Sequence, residues 1–228
     1  ALMKGFAAAT GDVFGWLNAD DVLLPGAVDH VLTTFGSRPM NVLFGEAVFV
    51  DEEGNTVRRY PTAGPRLERL RDRCVLSQPS VFFSRDTYEA VGGINPERHY
   101  CMDYELWTRF AKQGVDFVRT DRVLSATRLH AETKTANGGL AFIEEICDMQ
   151  MEILGKCSPV WQVYRESRLP SLSNVKGKAL RFAIASWRVL SRQPSALHKL
   201  VIALGERSFA GLLARMRARR IDGLNASG

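Results

Sequence analysis

The stretch Gly15-Trp16-Leu17-Asn18-Ala19-Asp20-Asp21-Val22-Leu23-Leu24-Pro25 constrains this chain more than any other. The apolar run Val13–Leu17 has the composition of a buried strand. The stretch runs on into two adjacent carboxylates, Asp20 and Asp21. Pro25 then reads as the opening of a helix whose apolar positions Val28, Val31, Leu32 and Phe35 share one face. Acids between a strand and a helix suit an α/β protein, in which ligands bind beyond the carboxyl ends of strands. Two chemistries are open to the pair. Hard cations such as Mg²⁺ and Mn²⁺ take oxygen ligands, and Mg²⁺ is commonly held through one or two carboxylates together with substrate phosphates. Equally, an Asp ahead of a Pro at the first helical position is an ordinary helix cap.

Further along, Val42–Gly45 and Ala47–Val50 are strand-like, and Asp51–Asn55 forms a hairpin-like turn before Thr56–Tyr60. Asp51 and Glu52 read as a solvated loop. A short charged helix, Leu67–Cys74, precedes Gln78-Pro79-Ser80 and the apolar strand Val81–Phe83. The Pro restricts the backbone before it, so the Gln78 amide either reaches across a cleft or satisfies backbone groups in a loop. A helix from Ser84 to Val91 closes at Gly92-Gly93, where positive φ is needed. The stretch His99–Phe110 is the second centre of the chain. Leu106, Trp107 and Phe110 give it an apolar helical face, with Asp103 near the first turn. A carboxylate there complements the helix dipole, and it is also where a general base would stand if that helix end faces a cleft. Glu105 is the alternative acid, and Arg109 is spaced to pair with a carboxylate a turn earlier.

After Asn137-Gly138-Gly139 the composition changes. Leu140–Leu154 and Trp161–Arg168 read as helices and Pro170–Asn174 as a linker. A helix carrying Leu180, Ala183, Ile184, Trp187 and Leu190 follows, with further helices over 197–204 and 209–216. The net charge of +5 is unevenly spread: from Ser167 onward there are twelve Lys and Arg against two acids, so the preceding part is acidic. These helices form either a small bundle on the main domain or a basic amphipathic face on anionic lipid. Charge alone would also allow a nucleic-acid tail, but no binding motif accompanies it and no nucleic acid is expected. No run approaches the roughly eighteen apolar residues of a membrane span, and the start lacks the pattern of a signal peptide. Cys74, Cys101, Cys147 and Cys157 show no C-x-x-C spacing, which argues against a zinc site or a disulfide framework. A cytoplasmic setting, peripheral at the inner face of a membrane if the basic face is used, is the expectation.

The stretch "GDVFGWLNADDVLLPGAV" resembles the metal-binding segment of family 2 glycosyltransferases, inverting enzymes of the GT-A fold. "FGEAVFVDEEGN", "SQPSVFFSRDTYEAVGGIN", "YCMDYELWTRFAKQG" and "TRLHAETKT" follow in that family's order over roughly the first three-fifths of the chain. The resemblance implies an α/β domain over 1–136, the C-terminal part of a GT-A unit, followed by an α-helical basic extension over 137–228. It implies sugar transfer from a nucleoside-diphosphate sugar to an acceptor hydroxyl with inversion, in cell-surface polysaccharide or glycoconjugate synthesis. The acceptor is a sugar or a lipid-linked molecule. Asp20 would hold Mg²⁺ or Mn²⁺, with Asn18 and Asp21 supporting the site and Gln78 in its wall. His130 would reach the metal or the donor diphosphate. Asp103 would be the base, in a motif whose preceding position, commonly acidic, is Met102 here. Val115–Val118 and Val123–Leu124 resemble the last, edge strands. The family's opening strands and an early Asp that contacts the base have no counterpart, so this chain is expected to be a fragment, inactive by itself. The rival reading is a truncated, non-catalytic module that associates with membrane or protein through its basic helices. A nucleotidyltransferase would call for a Gly-rich basic phosphate loop near the start, and the sequence shows none.

Overall fold

A computed structural model describes residues 1–37, 41–129 and 138–196. Among these, six strands form one mixed sheet. The chain runs through α1 (Leu2–Ala8), β1 (Val13–Phe14), β2 (Asp21–Leu23), α2 (Ala27–Ser37), β3 (Val42–Val50) and β4 (Thr56–Arg59). It continues through α3 (Leu67–Asp72), a 3-10 turn (Gln78–Ser80), β5 (Val81–Ser84), α4 (Arg85–Ala90), α5 (Met102–Lys112), β6 (Phe117–Arg128) and α6 (Gly139–Leu154). The strand order is β1-β5-β3-β6-β2, with β4 paired to β3 as a hairpin. β3 and β6 run parallel and the other pairs are antiparallel.

Several elements differ from the sequence-based expectation. The first strand ends at Phe14, and the two acids do not terminate it. Asp20 lies in a turn and Asp21 opens β2, whose ladder against β6 continues to a Leu24 N–H···O=C bond with Leu124 of 2.9 Å. Pro25 therefore stands in the turn ahead of α2, and Gly26 makes the reversal at φ 73°. The two stretches expected as edge strands are one continuous strand, β6, inside the sheet. It pairs in parallel with β3 from Val42↔Phe117 to Val50↔Arg128, with a register irregularity near Gly45.

β3 is likewise one strand, with an irregularity at Gly45. A Cβ there would meet the Leu124 side chain at 2.5 Å and the Arg122 carbonyl at 2.8 Å. Only glycine fits, because Leu124 fills the space on the neighbouring strand. Above the sheet, Phe83 of β5 is fully buried within an aromatic cluster. Its ring lies 5.8 Å from Trp107, 5.6 Å from Phe110, 6.2 Å from Trp16 and 5.7 Å from Tyr88. Edge-to-face and offset pairs of this kind add to the stabilisation from apolar burial. The cluster fastens α5 to the β1 end of the sheet.

The chain divides into two compact units, 1–156 and 157–228. The helix read from sequence as starting the extension, α6, falls in the first. In the second, α7 (Pro159–Arg168) is capped by Ser158, whose Oγ accepts the Val160 N–H at 3.1 Å. α8 (Lys178–Arg192) packs on it around Val160, Val163, Leu172, Ala185 and Val189. Pro170–Leu172, expected as a linker, is a 3-10 turn whose Leu172 is buried in that core. Glu166 of α7 pairs with Arg192 at 2.9 Å and Arg188 at 3.6 Å. The helices expected over 197–204 and 209–216 lie outside the described residues. No helix among those described is long and apolar enough to cross a membrane.

Gly45→Ala should destabilise the first unit by about 1–3 kcal/mol, the usual cost of forcing atoms into a packed core. Urea denaturation followed by tryptophan fluorescence checks it. An unchanged midpoint would mean that Leu124 can move aside.

Candidate functional site

Beyond β1 the chain crosses the aromatic cluster, where Trp16 stacks on Trp107 of α5 with ring centroids 5.7 Å apart. It then turns, Asn18 O accepting the Asp21 N–H at 3.2 Å. The Asn18 amide nitrogen donates to Asp21 Oδ2 at 3.0 Å and to Gln78 Oε1 at 3.1 Å. Gln78 Nε2 donates to the Trp16 carbonyl at 2.6 Å. An amide –NH₂ has two donors, so Asn18 can make both bonds at once. Three of the residues singled out from sequence, Asn18, Asp21 and Gln78, thus form one cluster, in which Gln78 takes the backbone-satisfying role read for it. Its amide reaches across to the acidic turn, and it satisfies a backbone carbonyl there.

Asp21 is 9% exposed. It faces Thr127 in the β2–β6 register, and the Thr127 hydroxyl and the Arg128 backbone favour its charged form. Burial raises its carboxyl above the ordinary value. The Asn18 bond offsets part of this rise and the Asp20 charge adds to it. Asp20 itself is exposed. Thr127 Oγ1 also lies 3.3 Å from Ser77 Oγ. Two oxygen-donor carboxylates, one exposed and one set against hydroxyls, have the chemistry of a hard-cation site. Among the described residues no three His, Cys, Asp or Glu side chains gather to complete one. The residues fit an ion held through at most two carboxylates and completed by phosphate oxygens, as Mg²⁺ commonly is. His130 lies outside the described residues.

The second candidate centre is the start of α5. The two acids there have different surroundings. Glu105 is buried and occupied: Oε2 lies 3.0 Å from Arg109, Oε1 accepts from Asn95 at 3.1 Å, and Arg98 Nε is 3.6 Å away. That network removes Glu105 from consideration as a base, and its Arg109 bond is the pairing expected from spacing. Asp103 is half-buried in the first helical turn. Burial raises its carboxyl, and the N–H groups of Tyr104 and of Asp103 itself offset this only in part. Two neighbours feel its charge. The Cys74 thiol and the Tyr60 phenol, both already pushed up by burial, are raised further by it.

Sequence reasoning left Trp16, Ser77, Thr127, Tyr60 and Cys74 without roles. Trp16 stood inside the stretch that opened the argument and could have been marked as an aromatic next to the acids. The others needed the strand register, which places Thr127 opposite Asp21, and the fold of the segment after β4.

The raised Asp103 carboxyl has a consequence for stability. A folded-state pKa above the unfolded one means that folding is favoured with the proton on and is penalised as pH rises through the folded value. Asp103→Asn, uncharged at every pH, should therefore raise Tm at pH 7, and the gain should shrink as pH falls towards the ordinary carboxylate value of 3.8. Thermal melts across pH 3.5–7.5 test it; a variant less stable at neutral pH would contradict the sign.

Residues 1–90 match the family model Glycosyl transferase family 2. An uncharacterized glycosyltransferase of Rickettsia prowazekii is 28% identical over 171 residues, covering 68% of this chain and 51% of the relative. The amylovoran biosynthesis glycosyltransferase AmsE of Erwinia amylovora is 26% identical over 148 residues, covering 63% and 55%. The chain spans about half the length of the curated relatives it matches. Among solved structures, S. aureus TarS residues 1–349 in complex with UDP-GlcNAc superposes with a TM-score of 0.51 at 13% identity, covering 82% of this chain and 58% of that one. At that identity the likeness speaks for the fold: a GT-A type α/β domain.

Proposed function

From the premise of a GT-A fold and a family 2 match over residues 1–90, we propose that the protein moves a sugar from a nucleoside-diphosphate sugar to an acceptor hydroxyl with inversion. The observation that carries this reading is the hydrogen-bonded cluster of Asn18, Asp21 and Gln78 beside the exposed Asp20. It joins residues sixty positions apart into a polar, acid-bearing turn. Asp20, with Asp21 behind it, would hold Mg²⁺ or Mn²⁺ through the donor's phosphates. When bound, the ion neutralises charge on the departing diphosphate. Asn18 and Gln78 fix the turn, so that the carboxylates need not reorganise when the donor arrives.

At the other centre the acceptor oxygen attacks the anomeric carbon as the bond to the diphosphate breaks, and Asp103 takes the hydroxyl proton. A carboxylate whose pKa is raised is a better proton acceptor, nearer the operating pH where general-base help is most effective. The nucleotide sugar follows the chemistry of this fold, and a TarS structure holds UDP-GlcNAc. Synthesis of a surface polysaccharide accords with the amylovoran relative. In the intact enzyme, Asp103→Asn should lower transfer about 10²- to 10⁴-fold with donor binding kept, and Asp20→Ala should lose metal-dependent donor binding. Release of nucleoside diphosphate and calorimetric titration of donor with Mn²⁺ read the two. Near-normal turnover by Asp103→Asn, or unaltered donor binding by Asp20→Ala, would remove that residue from the scheme.

A second reading concerns location, and one observation favours it. On α8, Trp187 is 70% exposed and Leu180 54% exposed, on the face opposite the buried Ala185 and Val189. Lys176 and Lys178 are exposed at the start of that helix. A helix with an outward Trp and cations at one end suits the surface of an anionic bilayer. Trp187→Glu should weaken co-sedimentation with vesicles rich in phosphatidylserine and leave binding to purely zwitterionic vesicles at its low level. Equal sedimentation of the two proteins would rule the helix out as the contact.

A further inference from the structure

We infer that Glu145 of α6 is a positioning residue for Asp103, acting through the backbone that leads into α5; the inference rests on the reading of Asp103 as general base. Its carboxylate accepts three successive main-chain N–H groups, from His99 at 2.8 Å and from Tyr100 and Cys101 at 2.7 Å each. These are the last residues before the helix. Cys101 is its N-cap, and Cys101 O accepts the Glu105 N–H at 2.8 Å, the first bond of the helical ladder. The Cys101 side chain provides no cap bond. The segment is therefore held by a carboxylate from another element, as an anion is held by a run of backbone amides.

The strength of this hold follows from its electrostatics. Burial works to raise the Glu145 carboxyl, and the His99, Cys101 and Tyr100 N–H groups, with a smaller share from the Cys101 side chain, outweigh it, leaving it below the ordinary value. The charged form is the one that grips. Hydrogen bonds to an ionised acceptor are about twice as strong as neutral ones, and three converge on one group.

The rest of α6 fixes the same helix further along. Arg98, one residue before the clamped segment, pairs with Glu152 as well as with Glu105. Lys112, at the far end of α5, donates to Ile153 O at 2.5 Å. Glu145 and Glu152, two turns apart on α6, both hold the segment that leads into α5, and the Ile153 carbonyl meets its far end. Asp103 lies two residues beyond the clamped segment, and its position is set by where that segment sits. A misplacement of about 1 Å at a catalytic group can cost on the order of 10²-fold in rate. A remote carboxylate can matter at that level without touching substrate.

In the intact enzyme, Glu145→Ala should lower kcat about 10- to 100-fold. KM for the nucleotide sugar should stay within about twofold, because the proposed donor contacts belong to the Asn18–Gln78 cluster. Glu145→Gln keeps one carbonyl oxygen for the Tyr100 and Cys101 N–H groups and should recover part of the loss. Amide hydrogen exchange at His99–Cys101 should quicken in the same order, with the amides of β3 unchanged. Should Glu145→Ala fail to fold, the Gln variant carries the same comparison. Unaltered exchange at His99–Cys101, or a normal kcat, would overturn the clamp. Loss of β3 protection in step with kcat would also overturn it, by making Glu145 a general structural support. If instead Asp103→Asn retains full transfer, the general-base reading fails, whatever exchange shows at the clamp.

Discussion

The parallel pairing of β3 with β6 is the constraint on which the site depends. Parallel strands cannot be joined by a tight turn, so between Val50 and Phe117 the chain must travel back to the start of the sheet before β6 begins. That excursion supplies the hairpin strand β4, the 3-10 turn with Gln78, β5 on the far side of β3, and α5 with Asp103. The register then fixes the far end. Val50↔Arg128 and Phe49↔Thr127 bring the end of β6 to where β2 can add beside it, with Asp21 opposite Thr127. Gly45 lets the two strands approach while Leu124 fills the gap. The acidic turn is thus located by a pairing in which it takes no part.

Within that frame, polar groups that would be costly to bury satisfy one another. Ser80 Oγ lies 2.5 Å from Ser125 Oγ and donates to Glu46 O at 3.0 Å, and Thr127 faces Ser77. These contacts tie the 3-10 turn to β3 and β6 from beneath, while Gln78 ties it to the acidic turn from above. An unpaired buried polar group costs free energy of the order of a lost hydrogen bond. A shift of the turn would leave several such groups unpaired at once. The cluster is therefore stiff for a reason separate from the apolar core.

Much of this was legible in the sequence, and the parts that were not share a cause. The helices α2, α5, α6 and α8 show as apolar faces at helical spacing, a local signal. Asn18, Asp21, Gln78 and Asp103 could be named because motif order points to them. The roles of Thr127, Cys74 and Tyr60 could not, since each depends on which strand lies beside which, and a strand run carries no address for its partner. The same gap explains the misreading of β6. Phe117–Arg128 includes Arg119, Thr120, Asp121 and Arg122, whose polarity looks like a break between two short edge strands. They continue the strand because β3 pairs with it on both sides, at Phe44↔Arg119 and Glu46↔Val123 across an irregularity, and Arg119 is held by Glu46 at 2.7 Å. The 157–196 unit was misread at Pro170 for a different reason: a Pro-Ser stretch has linker composition, and only the burial of Leu172 makes it part of a core.

Asp103 and Glu105 show how environment, more than residue type, divides labour on one helix. Both are acids near its first turn. Two residues along a helix turn a side chain to a different face, which sends Glu105 towards Arg98, Arg109 and Asn95 and Asp103 towards Tyr60 and Cys74. Paired on its own side, Glu105 serves as an ionic anchor between α5 and the Val91–Arg98 segment, to which Arg109 also donates at Val91 O and Gly93 O. Among the described residues no comparable cation offsets the burial of Asp103, which keeps its affinity for a proton high. The cations on the Glu105 side keep the helix in place, and their separation from Asp103 leaves burial as the main influence on that carboxyl.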